Sequence, residues 1–227
     1  YPAEIYDFIQ RHLNDFERAW DCGTGNGQVA SVLSKFFNRV EATDISENQI
    51  EHAIKNENIN YSIQPAERTN FKDDQFDLII VAQAAHWFNI DLFYTEVKRC
   101  LKPTGICVIM GYGLFYSAEK VNAIIKELYA NILGVYWDPE RKFLDDHYQT
   151  IPFPLNEIKT PDFYQKYTWS IEHLLGYLRT WSAVKHYQKA NKTDPVILIE
   201  SKLRGAFGDS NEVVFPILLR MGKTGQS

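Results

Sequence analysis

Asp21-Cys22-Gly23-Thr24-Gly25-Asn26-Gly27 is the stretch whose reading decides the fold. Ala19-Trp20 precede it as the end of an apolar strand, and residues 28–37 follow with helical spacing. A glycine-rich turn between strand and helix lets the backbone approach a ligand closely, because no Cβ stands in the way. The start of the helix adds exposed N–H donors. Residues 39–42 read as a second strand ending at Thr43-Asp44. An acid about twenty residues beyond the turn, at the end of the second strand, is placed to bind ribose hydroxyls. The turn and Asp44 together point to an α/β domain that binds a nucleoside.

The rest of the chain extends that rhythm. Ile5, Phe8, Ile9 and Leu13 give residues 3–16 an amphipathic helical pattern. Ser46 is placed to cap a helix that buries Ile50, Ala53 and Ile54, and residues 61–63 form a short third strand. Residues 76–82 are almost continuously apolar, as expected of a parallel strand covered on both faces. A helix over 91–101, a turn at 103–105 and a buried strand over 106–110 complete alternating βαβ units. The fold expected from this rhythm is an α/β domain built on a parallel sheet.

Beyond Gly111 the alternation breaks down. Residues 121–133 read as helix, 134–162 as an irregular insertion and 164–169 as a strand. Ser170 is placed to cap a helix over 171–186, and Asp194-Pro195 to start another. Residues 213–221 read as a last strand whose Pro216 suggests an edge or a bulge. No repeat or low-complexity linker interrupts the chain. The reading is therefore one domain over 1–227, with a cofactor-binding core at 19–111, a helical cap at 112–212 and a final strand at 213–221.

Composition narrows the function classes. The 227 residues are 45% hydrophobic and 23% charged, enough for an ordinary core without metal or disulfide staples. A net charge of -5 argues against a duplex nucleic-acid binder. Three cysteines without zinc-ligand spacing leave neither a disulfide framework nor a metal site, which suits a reducing, cytoplasmic compartment. No apolar run approaches a membrane span, so neither a membrane nor a nucleic acid is an expected partner. The chain opens at Tyr1-Pro2 without an initiator methionine.

Charge then separates the nucleoside cofactors. The glycines run GxGxG, with Gln28 where the last glycine of the dinucleotide fingerprint GxGxxG would fall. Asp21 would repel a pyrophosphate but favours an ammonium beside a sulfonium cation. S-adenosylmethionine therefore fits better than a nicotinamide dinucleotide.

Four motifs carry a family resemblance. Asp21–Gly27 resembles the first motif of class I S-adenosylmethionine-dependent methyltransferases, and Glu41-Ala42-Thr43-Asp44-Ile45-Ser46 their second-strand acid motif. Ala66-Glu67-Arg68-Thr69-Asn70-Phe71 with Asp73, Phe76 and Asp77 resembles a stretch of the methyltransferase type 11 group. Leu101-Lys102-Pro103-Thr104-Gly105 resembles the turn before that group's fifth strand. The run Ala85-His86-Trp87-Phe88 is similar to trans-aconitate methyltransferase-like proteins.

The resemblance implies a Rossmann-like fold, a mostly parallel seven-stranded sheet flanked by helices, and a methyl transfer to a small-molecule substrate, preferably a carboxylic acid or related metabolite. An aromatic or quinone-like acceptor and a non-catalytic cofactor-binding module are its alternatives. It implies that Asp21, Gly23 and Gly25 hold the methionine portion and Asp44 the ribose. Ile45 would pack on the adenine, Ala66 and Glu67 would lie at its edge, and the Gln83 carbonyl would face the amino group. Pro65 stands where relatives often place an acid.

Substrate-side candidates are Trp87, Tyr112 and Trp181, with His86 as the catalytic candidate just beyond the fourth strand. Each has a bland counterpart. His86 is equally at home as a packed loop residue, and the aromatics as buried filler. Asp73, Asp74 and Asp77 read as turn residues, and Cys22 as a small buried hydrophobe.

Overall fold

The computed structural model describes residues 1–225. In chain order its elements begin α1 (Ala3–Gln10), β1 (Arg18–Cys22), α2 (Gln28–Leu33), β2 (Arg39–Asp44), α3 (Glu47–Glu51), β3 (Ile59–Ile63), β4 (Phe76–Ala82), α4 (Ile90–Cys100) and β5 (Leu101–Tyr112). They continue with α5 (Glu119–Lys126), α6 (Lys142–Asp145), β6 (Asn156–Ile158), β7 (Phe163–Ser170), α7 (Ile171–Thr180), α8 (Ser182–Asn191), α9 (Ile197–Phe207) and β8 (Ser210–Lys223).

These elements divide into two compact units. Tyr1–Tyr112, Asp146–Phe163 and residues 217–225 make the first; Gly113–Asp145 and Tyr164–Pro216 make the second. One domain with a cap over 112–212 was the expectation from sequence. In the structure residues 146–163 group with the first unit, as do residues 217–225.

In the first unit the strands lie in the order β3-β2-β1-β4-β5-β8-β6. β1 to β5 pair in parallel, whereas β8 runs antiparallel between β5 and β6. This is the expected mostly parallel, Rossmann-like sheet, with seven strands along the path. β7 pairs with β8 off that path, bringing the sheet to eight strands. β4 is buried from Phe76 to Val81, which explains its apolar run. Its one polar residue, Asp77, accepts hydrogen bonds from the backbone N–H groups of Glu17 and Arg18 and pairs with Lys102 at 2.6 Å. Asp73 pairs with Arg99. The acidic run is therefore structural, and among the described residues no group of acids, histidines or cysteines is arranged to hold a metal ion.

Several boundaries differ from the sequence reading. α1 stops at Gln10, and α2 at Leu33, where turns follow. Ser46 does cap α3 by accepting from Gln49 N–H, but that helix ends at Glu51 and buries none of its residues. Ala53 is buried beyond it, whereas Ile54 is exposed, with its backbone bonded to Asn26 and Tyr61. Residues 103–105 are not a free turn. Phe76 pairs with Leu101 and Leu78 with Ile106, so the intervening residues of β5 bulge from the ladder. β6 lies inside a segment expected to be irregular.

The second unit gathers aromatic side chains. Phe115, Trp169, Tyr177, Trp181 and Phe215 pack with ring centroids 5.1–6.5 Å apart in their mutual contacts. Ser170 caps α7 by accepting from His173 N–H, as expected. The helix expected over 171–186 is nevertheless broken at Trp181, whose extended backbone lets its indole enter this cluster. α5 continues into a π-helical turn at Glu127–Ile132. Asp194 accepts from Val196 N–H, but the regular turns of α9 begin only at Ile197. Pro216 lies where the β5–β8 ladder ends, and its carbonyl accepts from Gly113 N–H. No described helix is long and apolar enough to cross a membrane.

Candidate functional site

With strand order β3-β2-β1-β4-β5, crossovers leave β1 in opposite directions. The crevice outside the carboxyl ends of β1 and β4 is where an open α/β sheet binds ligands. A cavity of about 480 Å³ lies there in the first unit. Its wall comes from the turn after β1 (Asp21, Gly23, Thr24, Gly25), the end of β2 (Asp44, Ser46) and the end of β4 (Gln83, Trp87), with Tyr112 from β5. A larger hollow of about 840 Å³, lined by Lys98, Pro103 and Asn156 among others, opens at the opposite strand ends. The carboxyl-end cavity is the one the topology marks for function.

The glycine turn is held by backbone bonds. Gly23 N–H and Thr24 N–H both donate to Thr43 O at 2.9 Å, fastening the turn to β2. Gly23, Gly25 and Gly27 all have positive φ, the region that favours glycine. A Cβ at Gly23 would come 2.7 Å from Ala84 Cβ, whereas at Gly25 its nearest neighbour would be 4.0 Å away. A side chain at Gly25 would therefore occupy open space over the turn.

Asp21 is fully buried. Its Oδ2 accepts from Thr24 Oγ1 at 2.5 Å and from Ala30 N–H at 2.9 Å. Its Oδ1 is buried with no hydrogen-bond partner among the described residues. Burial raises the carboxyl from 3.8 to about 6; the bonds from Thr24 and Ala30 pull it down, and the neighbouring charge of Asp44 adds to the rise. A buried acid left half-satisfied beside a cavity is suited to a cationic ligand group.

Asp44 has work inside the protein as well. Its Oδ2 accepts from Gly25 N–H and its Oδ1 from Ser46 N–H, both at 2.9 Å. Each carboxylate oxygen keeps acceptor capacity, since it has two lone-pair directions. Next to it, Ile45 is 76% exposed, an apolar surface unusual for its size. Ala66 is buried, and Glu67 accepts from Asn89 N–H at 2.8 Å, so its carboxylate braces the start of α4. Neither Ile45, Ala66 nor Glu67 is in the cavity wall.

Gln83 adopts a positive φ of 56°, a strained conformation of the sort concentrated at functional turns. Its side-chain oxygen accepts from Tyr112 N–H at 2.7 Å, which ties the ends of β4 and β5 together. Trp87, in the short 3₁₀ turn Ala85–Trp87, is 61% exposed at the cavity wall. His86 is buried, with Nδ1 3.5 Å from the Tyr148 hydroxyl. Trp181 is buried in the second unit's aromatic cluster, against Tyr129 and Trp137. Cys22 is buried, and burial pushes its thiol well above the ordinary range, which disfavours a nucleophilic thiolate.

Tyr1 escaped the sequence reading, whereas Tyr148 reads from sequence only as one of many aromatics, buried filler or pocket lining alike. Tyr1 lines the cavity with its ring stacked on Tyr112 at 4.5 Å and 12°. Tyr148 is fully buried beneath Gly111, where a Cβ would fall 2.9 Å from its hydroxyl. Neither carries a local motif, and each reaches the site only through long-range folding.

Similarity to known proteins agrees with this geometry. The profile of a family described as "Methyltransferase domain" matches residues 20–109. A Dictyostelium discoideum protein named "Putative methyltransferase" is 35% identical, covering 98% of this chain and 89% of its own length. A solved structure described as a "Putative Type II Methyltransferase" from Anaeromyxobacter dehalogenans superposes with a TM-score of 0.91 at 35% identity, over 98% of this chain and 96% of that one. A Bacillus halodurans structure described as a "putative methyltransferase" shares the fold, with a TM-score of 0.57 at 18% identity over 99% and 100% of the two chains.

Proposed function

We propose, from the premise that this chain belongs to the methyltransferase domain family and is an S-adenosylmethionine-dependent enzyme, that its methyl acceptor is a small carboxylic acid or related metabolite. The residues present fit the cofactor. The unpartnered Asp21 Oδ1 suits its ammonium group, and the open space over Gly25 suits close approach to the backbone. In this reading Asp44 takes the ribose hydroxyls while bracing Gly25, and Ile45 offers the adenine an apolar surface. Bound there, the cofactor supplies an electrophilic methyl group on a positively charged sulfur.

The chain's own contribution is alignment and exclusion of water. Holding two reactants in near-attack geometry is worth roughly 7–11 kcal/mol of barrier, so a strong base is not required. The carboxylate acceptor is supported by the run Ala85–Phe88, whose likeness to trans-aconitate methyltransferase-like proteins goes with the place of Trp87 in the cavity wall.

A methyl-transfer screen with labelled S-adenosylmethionine, carboxylic acids first, tests the reading. A carboxylate product is a methyl ester and releases labelled methanol in mild base, whereas ethers and C-methyl products do not. Base-stable label on phenolic or quinone-like pools, with none on acids, would replace this acceptor class with the aromatic one.

A further inference from the structure

We infer that the Tyr1 hydroxyl is a ligand of the cofactor, donating a hydrogen bond to the carboxylate of its amino-acid end. Tyr1 lines the same 480 Å³ cavity as Asp21, Gly23 and Gly25. Its ring is fixed by the parallel stack on Tyr112. Its hydroxyl oxygen is buried and has no hydrogen-bond partner among the described residues, as is true of Asp21 Oδ1. An unmade bond at a buried hydroxyl or carboxylate is costly, and these two do not satisfy one another although they line one cavity.

The two orphans have opposite hydrogen-bonding character. Asp21 offers an acceptor, and Tyr1 offers a donor. Burial raises the phenol well above its ordinary range, with the nearby charge of Asp21 adding to the rise, so it keeps its proton at neutral pH. A donor and an acceptor left without partners on two residues of one cavity wall suit a group that carries both complements, which is an α-amino acid in its zwitterionic form. Asp21 accepts from the ammonium and Tyr1 donates to the carboxylate. The inference rests on the placement of the cofactor proposed above.

Calorimetric titration of the full chain separates the inference from that placement. The probes are S-adenosylmethionine and its decarboxylated form, which keeps the ammonium and lacks only the carboxylate. Tyr1→Phe preserves the stack on Tyr112 and removes only the hydroxyl. It is expected to weaken S-adenosylmethionine about tenfold, the scale of one hydrogen bond to a charged group, and to leave the decarboxylated form unchanged. Asp21→Asn is expected to weaken both. Equal affinities of wild type and Tyr1→Phe for S-adenosylmethionine would overturn the assignment. So would an equal loss for both probes, which would reduce Tyr1 to packing. If Asp21→Asn weakens neither probe, the cofactor placement itself fails, whatever Tyr1→Phe does.

Discussion

At the scale of the residue, Asp21 carries the sharpest consequence. Its carboxyl is raised from 3.8 to about 6, chiefly by burial. Between those values the folded chain holds a proton that the unfolded chain has released. Stability from this group is therefore greatest below about pH 4 and declines as pH rises to about 6, by on the order of 3 kcal/mol. An ammonium-bearing ligand binds the ionised form. S-adenosylmethionine affinity should accordingly rise with pH over this window, by up to about tenfold per unit, and level off above about pH 6. Calorimetry across pH 4–8 checks it, and Asp21→Asn should flatten the profile.

Asp44 differs because both its oxygens already brace the loop. Asp44→Ala should weaken the cofactor about a hundredfold and also cost about 1–2 kcal/mol in urea unfolding. Cofactor loss without any stability loss would mean that the two backbone bonds contribute nothing. His86 lies outside the cavity wall, so His86→Ala should lower turnover while leaving the cofactor Kd within about twofold. Unchanged turnover would make it a packing residue.

At the scale of the element, the segment that delivers Tyr148 is held by one arginine. His147 and Tyr148 both have positive φ, a turn that swings the phenol inward. Arg220 of β8 donates through Nη1 to the carbonyls of Tyr148 and Ile151, pairs with Glu157 through Nε and Nη2, and lies over the Phe153 ring at 4.5 Å. The guanidinium holds the Glu157 carboxyl below its ordinary value, first through these hydrogen bonds. Arg220→Met keeps much of the volume but strands two carbonyls. It should cost about 2–4 kcal/mol in denaturant unfolding at neutral pH, and part of that difference should disappear in acid once Glu157 protonates, at a pH below the ordinary carboxylate value. A change under about 0.5 kcal/mol would show that the turn holds itself. None of this was legible in the sequence, since Tyr148 and Arg220 are far apart along the chain and neither belongs to a motif. The break at Trp181 was hidden for a related reason: helical spacing continues through it, and only the aromatic cluster makes extended backbone favourable there.

At the scale of the whole molecule, ligand linkage should report where the site lies. S-adenosylhomocysteine at about a hundredfold excess over its Kd adds about 2.7 kcal/mol to the folded state. For a chain of this size that raises Tm by about 5–10 °C. Hydrogen exchange should gain protection chiefly at residues 21–28, 44–49, 82–87 and 112, all in the first unit. Protection confined to the second unit would place the ligand elsewhere.

The sequence by itself determined the parallel core and the glycine turn that lines the cavity at its carboxyl end. Asp21–Gly27 and Asp44 are local signals, because glycine φ, strand length and helix start are set by neighbours along the chain. It also pointed to residues 85–88 as the turn beyond β4, where the structure puts a 3₁₀ turn. Tertiary structure decided what those signals could not. It gave Asp44 and Glu67 internal partners, took Trp181 into a buried cluster, and brought Tyr1 and Tyr148 to the ends of β4 and β5. Which atom of Asp21 lacks a partner depends on every surrounding donor at once, and those donors meet only when the strands are paired.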